Sequence, residues 1–398
     1  MLFGDVGRLY IWWMGVWASM HRGYWFVASL YLVLDAHLSA FQLVTIGVVQ
    51  SVISGLFEVP AGVVADTFSR KWSLVFSHLL MGGAIVFTGL VSSFPALVAS
   101  QVLWGIAWTF ASGSDIAWVT DELDAPTRID RVLIGAARAK SVGAALGIVT
   151  FGLLASGTSR STAIIATGIG IFVLGLIVTR IPEVGFVRPS TSRKSSLTIF
   201  RKGLALARVD RILMIAFVAT MLSVGGAGEG FNRMYTKQLA NVGFPNDQTT
   251  MLWFALLNLA TLGGGALALH AVERKITVPD TARRAFQWSC MLAAIGVSVL
   301  AMAREPLMAS TGAVLAGIAL LVARAVGGVW VNRRVTSDIR ATVHSLLQQA
   351  EYIGEAALTF GLGALAGWTS ISAGLAGSVL LFVMSAVVLR AGPWSAVN

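Results

Sequence analysis

The sequence predicts an all-α polytopic membrane protein with twelve transmembrane helices in two pseudo-symmetric six-helix bundles. Two observations lead to this prediction. Hydrophobic residues make up 56% of the 398-residue chain and charged residues only 12%, which is about half the charged fraction of a typical soluble domain. The apolar residues also form continuous runs of about 20 residues, the length that a helix needs to cross a bilayer. Barrel strands would instead alternate polar and apolar side chains.

Twelve apolar runs mark the predicted spans, and short polar connections separate them. The longest connection, residues 181–210, is rich in Pro, Ser and basic residues and continues into a basic amphipathic segment. We interpret it as a cytoplasmic linker between an N-terminal bundle (1–180) and a C-terminal bundle (211–398). The predicted spans are 9–34, 43–65, 73–93, 95–118, 133–156, 161–180, 211–231, 249–270, 285–303, 307–330, 344–365 and 371–390.

The distribution of Lys and Arg predicts the orientation, because positively charged short loops stay in the cytoplasm. Most of these residues fall on the even-numbered connections and near the termini. The odd-numbered connections carry only Arg160, Arg233, Lys237 and Arg304. Both termini are therefore predicted to be cytoplasmic, in a multi-pass protein of the inner (plasma) membrane. This topology explains the net charge of +10, so the lipid bilayer is an expected partner and nucleic acid is not.

A weak internal repeat relates the two halves. Trp118-Val119 and Trp330-Val331 end spans four and ten, and Lys140–Gly143 corresponds to Glu351–Gly354 in the following spans. Parallel repeats of this kind place a substrate site at the interface of the two halves, near the bilayer midplane.

The connection between spans two and three reads Gly62-Val-Val-Ala-Asp66-Thr-Phe-Ser-Arg70-Lys71. Gly62 has no side chain, so a neighbouring helix can approach it closely. Asp66 lies at the membrane boundary, where it can accept hydrogen bonds from the N-terminus of a helix in the other half. Arg70 and Lys71 are predicted to hold the loop on the cytoplasmic side and to pair with acidic residues.

This loop resembles the signature of the major facilitator superfamily, Gly-x-x-x-Asp-x-x-(Gly/Arg)-Arg-(Lys/Arg), with Ser69 where the family often has glycine. The resemblance implies the major facilitator fold in a monomer. It also implies secondary active transport of a small molecule by alternating access. In such proteins the loop is a conformational latch, so Gly62, Asp66, Arg70 and Lys71 are the expected gating residues.

The run Glu58-Val-Pro60-Ala-Gly62 resembles that of bacterial drug exporters of the superfamily. It favours proton-coupled efflux of a hydrophobic or amphipathic small molecule. Two features depart from the exporter pattern. Gln101 stands where proton-coupled members usually carry an arginine, four residues before Gly105, and the segment 141–147 lacks the exporters' glycine-proline pair.

Ionisable residues within spans are candidate functional residues, because an unpaired charge in the membrane costs several kcal/mol. Four of them lie at similar depth in the cytoplasmic third. We predict that they form either a proton-responsive switch or a structural salt-bridge network. These four residues are Glu58, Asp115, Arg138 and Lys140.

Span eleven carries a carboxylate near the midplane, Glu355, which together with Glu58 is the candidate proton carrier. Depth along the helices also suggests a structural pair between Arg324 and Glu351. Spacing predicts a second pair between Glu229 and Arg233 at i,i+4.

Candidate substrate-binding residues lie in spans one and four. Arg22 falls near the midplane of span one and could bind an anionic group. Trp25 and Trp108 lie deep enough to stack on a flat or cationic substrate, and Ser112 shares a helix face with Trp108. Two alternatives remain open: proton-coupled uptake of an anionic metabolite through Arg22, and a non-transporting membrane sensor or enzyme.

The sequence does not support ATP-driven transport, metal binding or enzymatic catalysis. It contains no Walker-type phosphate loop, and its five histidines show no metal-ligand spacing. We also find no convincing nucleophile–base arrangement. We therefore expect neither enzymatic activity nor a cofactor, and no metal site.

Overall fold

The computed structural model of the protein is built from helices, which confirms the predicted all-α class. It describes residues 5–123, 126–186, 210–243, 247–276, 279–333, 335 and 340–390. The basic amphipathic segment falls almost wholly within 187–209, outside this part of the chain. The helices are α1 (Val6–Leu34), α2 (Ala40–Thr67), α3 (Arg70–Leu90), α4 (Phe94–Ala111), α5 (Ser114–Leu123), α6 (Pro126–Gly157), α7 (Arg160–Thr179), α8 (Arg211–Thr220), α9 (Glu229–Val242), α10 (Asp247–Glu273), α11 (Pro279–Met302), α12 (Pro306–Asn332), α13 (Arg340–Ile353), α14 (Phe360–Trp368) and α15 (Ile371–Arg390).

Ten helical segments in the described part of the chain are long and apolar enough to cross a membrane. They coincide with ten of the twelve predicted spans. The other two predicted spans, one and eleven, are also helical. Tryptophans and basic residues in the first, and charged residues such as Glu351 and Glu355 in the second, make them less apolar. The count of twelve crossings and the cytoplasmic termini therefore stay predictions.

Predicted span four is interrupted near its C-terminal end. Helix α4 ends at Ala111, and Ser112 follows as its C-terminal cap. Gly113 then adopts a positive φ of 73°, which glycine reaches without the steric cost of a side chain. Helix α5 starts at Ser114. No proline marks this break, so the apolar run gave no indication of it.

Two spans contain π-helical segments, which we call π1 (Met221–Gly228) and π2 (Gly354–Thr359). Segment π1 joins α8 to α9, and π2 joins α13 to α14. The Thr359 hydroxyl in π2 donates hydrogen bonds to the carbonyls of Gly225 (3.0 Å) and Gly226 (2.9 Å) in π1. Segments of this kind occur frequently at functional sites in proteins.

The chain divides into two compact units. The first comprises Met1–Leu38, Ile53–Ser192 and Gln248–Ala255. Its close helix contacts depend on glycine: a Cβ on Gly143 or Gly147 in α6 would overlap the carbonyls of Gly15 or Ser19 in α1. Small residues of this kind let backbones approach closely in membrane helices.

The second unit comprises Ser39–Val52, Arg193–Asp247 and Leu256–Asn398. Here Gly354 lies so close to the Met221 carbonyl that a Cβ would overlap it. The contact corresponds to that of Gly143 with Gly15 in the first unit, since Gly354 and Gly143 are the two glycines matched by the repeat. The correspondence agrees with the predicted duplication of a half-length unit.

Candidate functional site

The loop between α2 and α3 is fixed by a carboxylate that the sequence did not indicate. Ser69 caps α3, and its hydroxyl donates to Glu183 Oε2 at 2.5 Å. The backbone N–H of Lys71 donates to Glu183 Oε1 at 2.8 Å, and Lys71 Nζ donates to the carbonyl of Ile181 at 3.0 Å. Glu183 thus places negative charge at the positive end of the α3 dipole.

Arg70 holds the other side of the loop. Its guanidinium bonds the Asp121 carboxylate and donates to the Ala117 carbonyl at 3.0 Å, both in α5. Its contact with Asp66 is longer, 3.8 Å, and the Asp66 side chain is 58% exposed. The acidic partners predicted for this loop therefore include Asp121 and Glu183. The contact of Asp66 with a helix of the other half stays a prediction.

The predicted close approach at Gly62 is not seen. A Cβ built on Gly62 would meet no atom of the described residues within 4 Å. Close helix contacts occur instead at Gly143 and Gly147 of α6. Packing against the described residues therefore does not require a glycine at position 62.

Only part of the predicted charge cluster in the cytoplasmic third assembles. Lys140 Nζ lies 3.7 Å from Asp115 Oδ2, and the buried Tyr10 hydroxyl donates to the same carboxylate oxygen at 3.2 Å. Glu58 instead accepts a hydrogen bond from the Ser112 hydroxyl at 2.8 Å. Arg138 is exposed, and no acidic group of the described residues lies within 4.0 Å of it. The structure therefore resolves the cluster into two separate groups on either side of the helix break.

An aromatic cluster lies on one face of α1 and the facing side of α4; we call it the aromatic ladder. Trp17 stacks on His21 at 4.4 Å between ring centroids, and Trp104 and Trp108 are nearly parallel at 5.5 Å. His21 also stacks on both α4 tryptophans. The Trp25 indole N–H donates to His21 Nε2 at 3.3 Å.

Of the ladder residues, only Trp25 and Trp108 were predicted to bind substrate. The signal was present, since Trp17, His21 and Trp25 are spaced by four residues, as are Trp104 and Trp108. Arg22 is half-buried and follows His21 directly, so it is turned by about 100° from the ladder face. Arg22 lies three residues before Trp25, about 60° away around the helix.

The second unit buries an ion pair that includes Glu355. This carboxylate is only 8% exposed, and Arg233 Nη2 donates to it at 3.2 Å. The same nitrogen lies 3.3 Å from Gln50 Oε1 in α2, and the Ser51 hydroxyl also bonds Glu355. A Cβ on Gly47 would overlap the Arg233 guanidinium, so the arginine lies directly on the backbone of α2.

The predicted pair between Glu229 and Arg233 is wrong. Glu229 contacts Arg324 Nη2 at 3.5 Å, because Arg233 is held by Glu355 and α2. The expected pair between Arg324 and Glu351 does form, at 3.4 Å. Spacing along one helix favoured an i,i+4 pair, but partners on other helices compete successfully for both residues.

Comparison with known proteins identifies the family. Residues 12–359 match the model of the family described as Major Facilitator Superfamily. The chain belongs to the major facilitator superfamily. This stretch covers the signature loop, the aromatic ladder and Glu355, so the resemblance first seen in ten residues extends over most of the chain.

Solved structures of transporters share the fold of this superfamily member. A mutant of the nucleoside transporter NupG is 13% identical, with a TM-score of 0.80 over 97% of this chain and 98% of that chain. A bacterial homolog of the human lysosomal transporter Spinster is 14% identical, with a TM-score of 0.70 over 98% and 95%. A peptide transporter POT in complex with sulfate is 12% identical, with a TM-score of 0.73 over 97% and 94%. Among curated proteins, none matches the chain.

Major facilitator proteins are multi-pass membrane transporters of small molecules, and this description applies to the chain. One of its departures from the proton-coupled members has a clear structural role. Gln101, at the position where those members usually carry an arginine, is buried and donates to the Tyr24 hydroxyl at 2.9 Å. A neutral hydrogen bond between α1 and α4 thus occupies this position of the superfamily fold.

Proposed function

We propose that the protein is a secondary active transporter that exports a hydrophobic or amphipathic small molecule in exchange for protons, by alternating access. The observation that carries the proposal is the buried ion pair of Glu355 and Arg233. Protonation of Glu355 removes its charge and leaves Arg233 without that counter-ion. The pair can therefore link proton binding to the contact between Arg233 and α2.

The energetic scale suits a switch. Breaking a buried ion pair by removing one partner costs about 3–5 kcal/mol. A ligand must supply about 5.5 kcal/mol of differential affinity to move a two-state equilibrium from 1:99 to 99:1. The free energy that depends on the charge of one buried pair is thus a large share of the free energy that a conformational change requires.

Substrate and direction rest on other features. Trp17, Trp25 and Trp108 of the aromatic ladder are half-buried and offer apolar, flat surfaces for an amphipathic molecule. The resemblance of Glu58–Gly62 to drug exporters supports export across the inner membrane, with both termini in the cytoplasm. The similar solved structures carry no argument about substrate, since at 12–14% identity they show the fold alone.

The test begins with a search for a compound that the protein binds and transports. A thermal-shift screen of the purified protein against drugs, sugars, amino acids and organic anions detects binding, because ligands stabilise the state they bind. Uptake of each hit is then measured in inside-out vesicles with an imposed proton gradient.

We expect uptake to fall to background with an uncoupler, and also in Glu355→Gln and Asp66→Asn. Glu305→Gln is the matched control, because Glu305 is exposed and makes no capping hydrogen bond. Transport that persists after collapse of the gradient would refute proton coupling. If the hits are anions and their uptake is lost in Arg22→Ala, the anion-uptake alternative replaces export. Binding without transport under any gradient would favour a sensor.

A further inference from the structure

The second unit contains a cavity beside the pair of Arg324 and Glu351. It has a volume of about 160 Å³ and lies among α8, π1, α11, α12 and α13. Three residues on one face of α13 contribute to it, His344, Gln348 and Glu351, and Arg324 of α12 lines it from another side. We propose that this cavity binds a small zwitterion with an apolar side chain, of the size and type of an aliphatic amino acid. The inference rests on the proposed function, because it takes this zwitterion to be the amphipathic substrate.

Arg324 supplies the group that would bind a carboxylate. Its side chain is 53% exposed although it lies within an apolar span, and part of it lines the cavity. Its Nη2 lies 3.4 Å from Glu351 and 3.5 Å from Glu229. A guanidinium has five N–H donors in a planar fork, more than these two contacts use. It can therefore also bind a ligand carboxylate, in the bidentate geometry that arginine favours.

Glu351 supplies the matching group for an ammonium. Its carboxylate lines the cavity and accepts a hydrogen bond from Gln348. Arg324 and Glu351 are the two charged residues among the described lining residues, apart from the titratable His344. A ligand with a single charge would be attracted to one of these two groups and repelled by the other. A zwitterion places opposite charges on both.

The rest of the cavity fits an aliphatic side chain. Val224, Phe286, Ala323 and Leu347 give it an apolar wall. Gly328 also lines it, and a Cβ there would meet no described atom within 4 Å. The volume is close to that of a known engineered apolar cavity of about 150 Å³ that holds one benzene molecule. A ligand of amino-acid size is therefore favoured over a larger drug.

The test is isothermal titration calorimetry of the purified full-length protein with L-leucine and two of its derivatives. L-leucine carries both charges, L-leucinamide only the ammonium, and N-acetyl-L-leucine only the carboxylate. We expect L-leucine to bind at least about tenfold more tightly than either analogue, since each loses one charge-assisted interaction. Equal affinity for L-leucine and L-leucinamide, or no binding of L-leucine, would overturn the proposal.

Two variants locate the site. Gly328→Leu fills the cavity, and we expect it to reduce L-leucine affinity more than tenfold while Gly361→Ala does not. Gly361 is exposed, and a Cβ there also meets open space. Arg324→Lys keeps the positive charge that Glu229 and Glu351 need, but it cannot bind a carboxylate in bidentate fashion. We expect this variant to fold and to bind L-leucine more weakly, with a smaller loss of affinity for L-leucinamide. Unchanged L-leucine affinity in Gly328→Leu would place binding elsewhere and contradict the proposal.

Counterflow of L-leucine in proteoliposomes separates this inference from the proposed function. If L-leucine binds in calorimetry but no compound shows counterflow, the binding site is supported and the transport function is rejected. If another amphipathic compound is transported with protons but L-leucine does not bind, the transport function is supported and the zwitterion site is rejected.

Discussion

The guanidinium of Arg233 lies on the backbone of Gly47, at a place where any side chain would overlap it. Arg233 also bonds Glu355 and Gln50 from this position. Four chemically different groups thus meet at one point in the second unit. The absence of a side chain at residue 47 is what permits the arrangement.

Gly47→Ala should displace Arg233 and weaken its bonds to Glu355 and Gln50. We expect a loss of about 1–3 kcal/mol in the free energy of unfolding, typical of an overpacked site, and a lower transport rate. Gly263→Ala is the control, because a Cβ at Gly263 meets open space and alanine favours helix by about 0.5–1 kcal/mol. Thermal unfolding in detergent measures both variants. A Gly47→Ala protein as stable and active as the control would contradict this reading.

The pair of Arg233 and Glu355 should show strong coupling in a double-mutant cycle. Arg233→Met and Glu355→Met each remove one partner of a buried ion pair, which costs about 3–5 kcal/mol. The double variant should lose much less, because no buried charge remains. Denaturant unfolding measures the loss in the free energy of unfolding for the two single variants and the double variant. Additive losses would mean that the two side chains do not depend on each other.

Glu183→Gln should loosen the loop between α2 and α3. The carboxylate accepts from Ser69 and from the Lys71 backbone at the start of α3, and hydrogen bonds to charged groups contribute about 1.5–3 kcal/mol. We expect faster proteolysis or hydrogen exchange of residues 67–72 in this variant. Asp130→Asn changes an exposed carboxylate and should leave this segment protected. Equal exchange in both variants would rule out the capping role.

Gly143→Ala and Gly354→Ala should have similar effects, since each glycine lies against a backbone carbonyl in its own unit. A methyl group at either position forces two helices apart, and we expect a loss of about 1–3 kcal/mol or failure to fold. Gly157→Ala is the control, because a Cβ there meets no described atom within 4 Å. The three variants are compared by their melting temperatures. A large effect at only one of the repeat-related positions would argue against equivalent packing in the two units.

Sequence reasoning predicted the helical class and the family because both depend on patterns that are local in the chain. Run length shows where a helix can cross the membrane, and the loop Gly62–Lys71 carries its signature in ten consecutive residues. The pairing of Arg324 with Glu351 also followed from depth along the helices.

The partners of the charges could not be predicted in the same way. Glu183, Asp121 and Gln50 are far in sequence from the residues they bind, and nothing local indicates such contacts. The pair of Glu229 with Arg233 failed for this reason, since a favourable spacing does not exclude a better partner on another helix. The break at Gly113 was missed because glycine is common within membrane helices.

Segment π1 determines where Arg233 points. A π bulge holds one more residue than the α-helical turns it replaces, so every residue after Gly228 is rotated relative to a continuous α-helix. One α-helical residue corresponds to about 100°. Deletion of a single residue from Met221–Gly228 would restore a regular helix and swing Arg233 away from Gly47, leaving the composition of the site unchanged. The length of this stretch, counted in residues, therefore matters as much to the ion pair as the identity of the two charges.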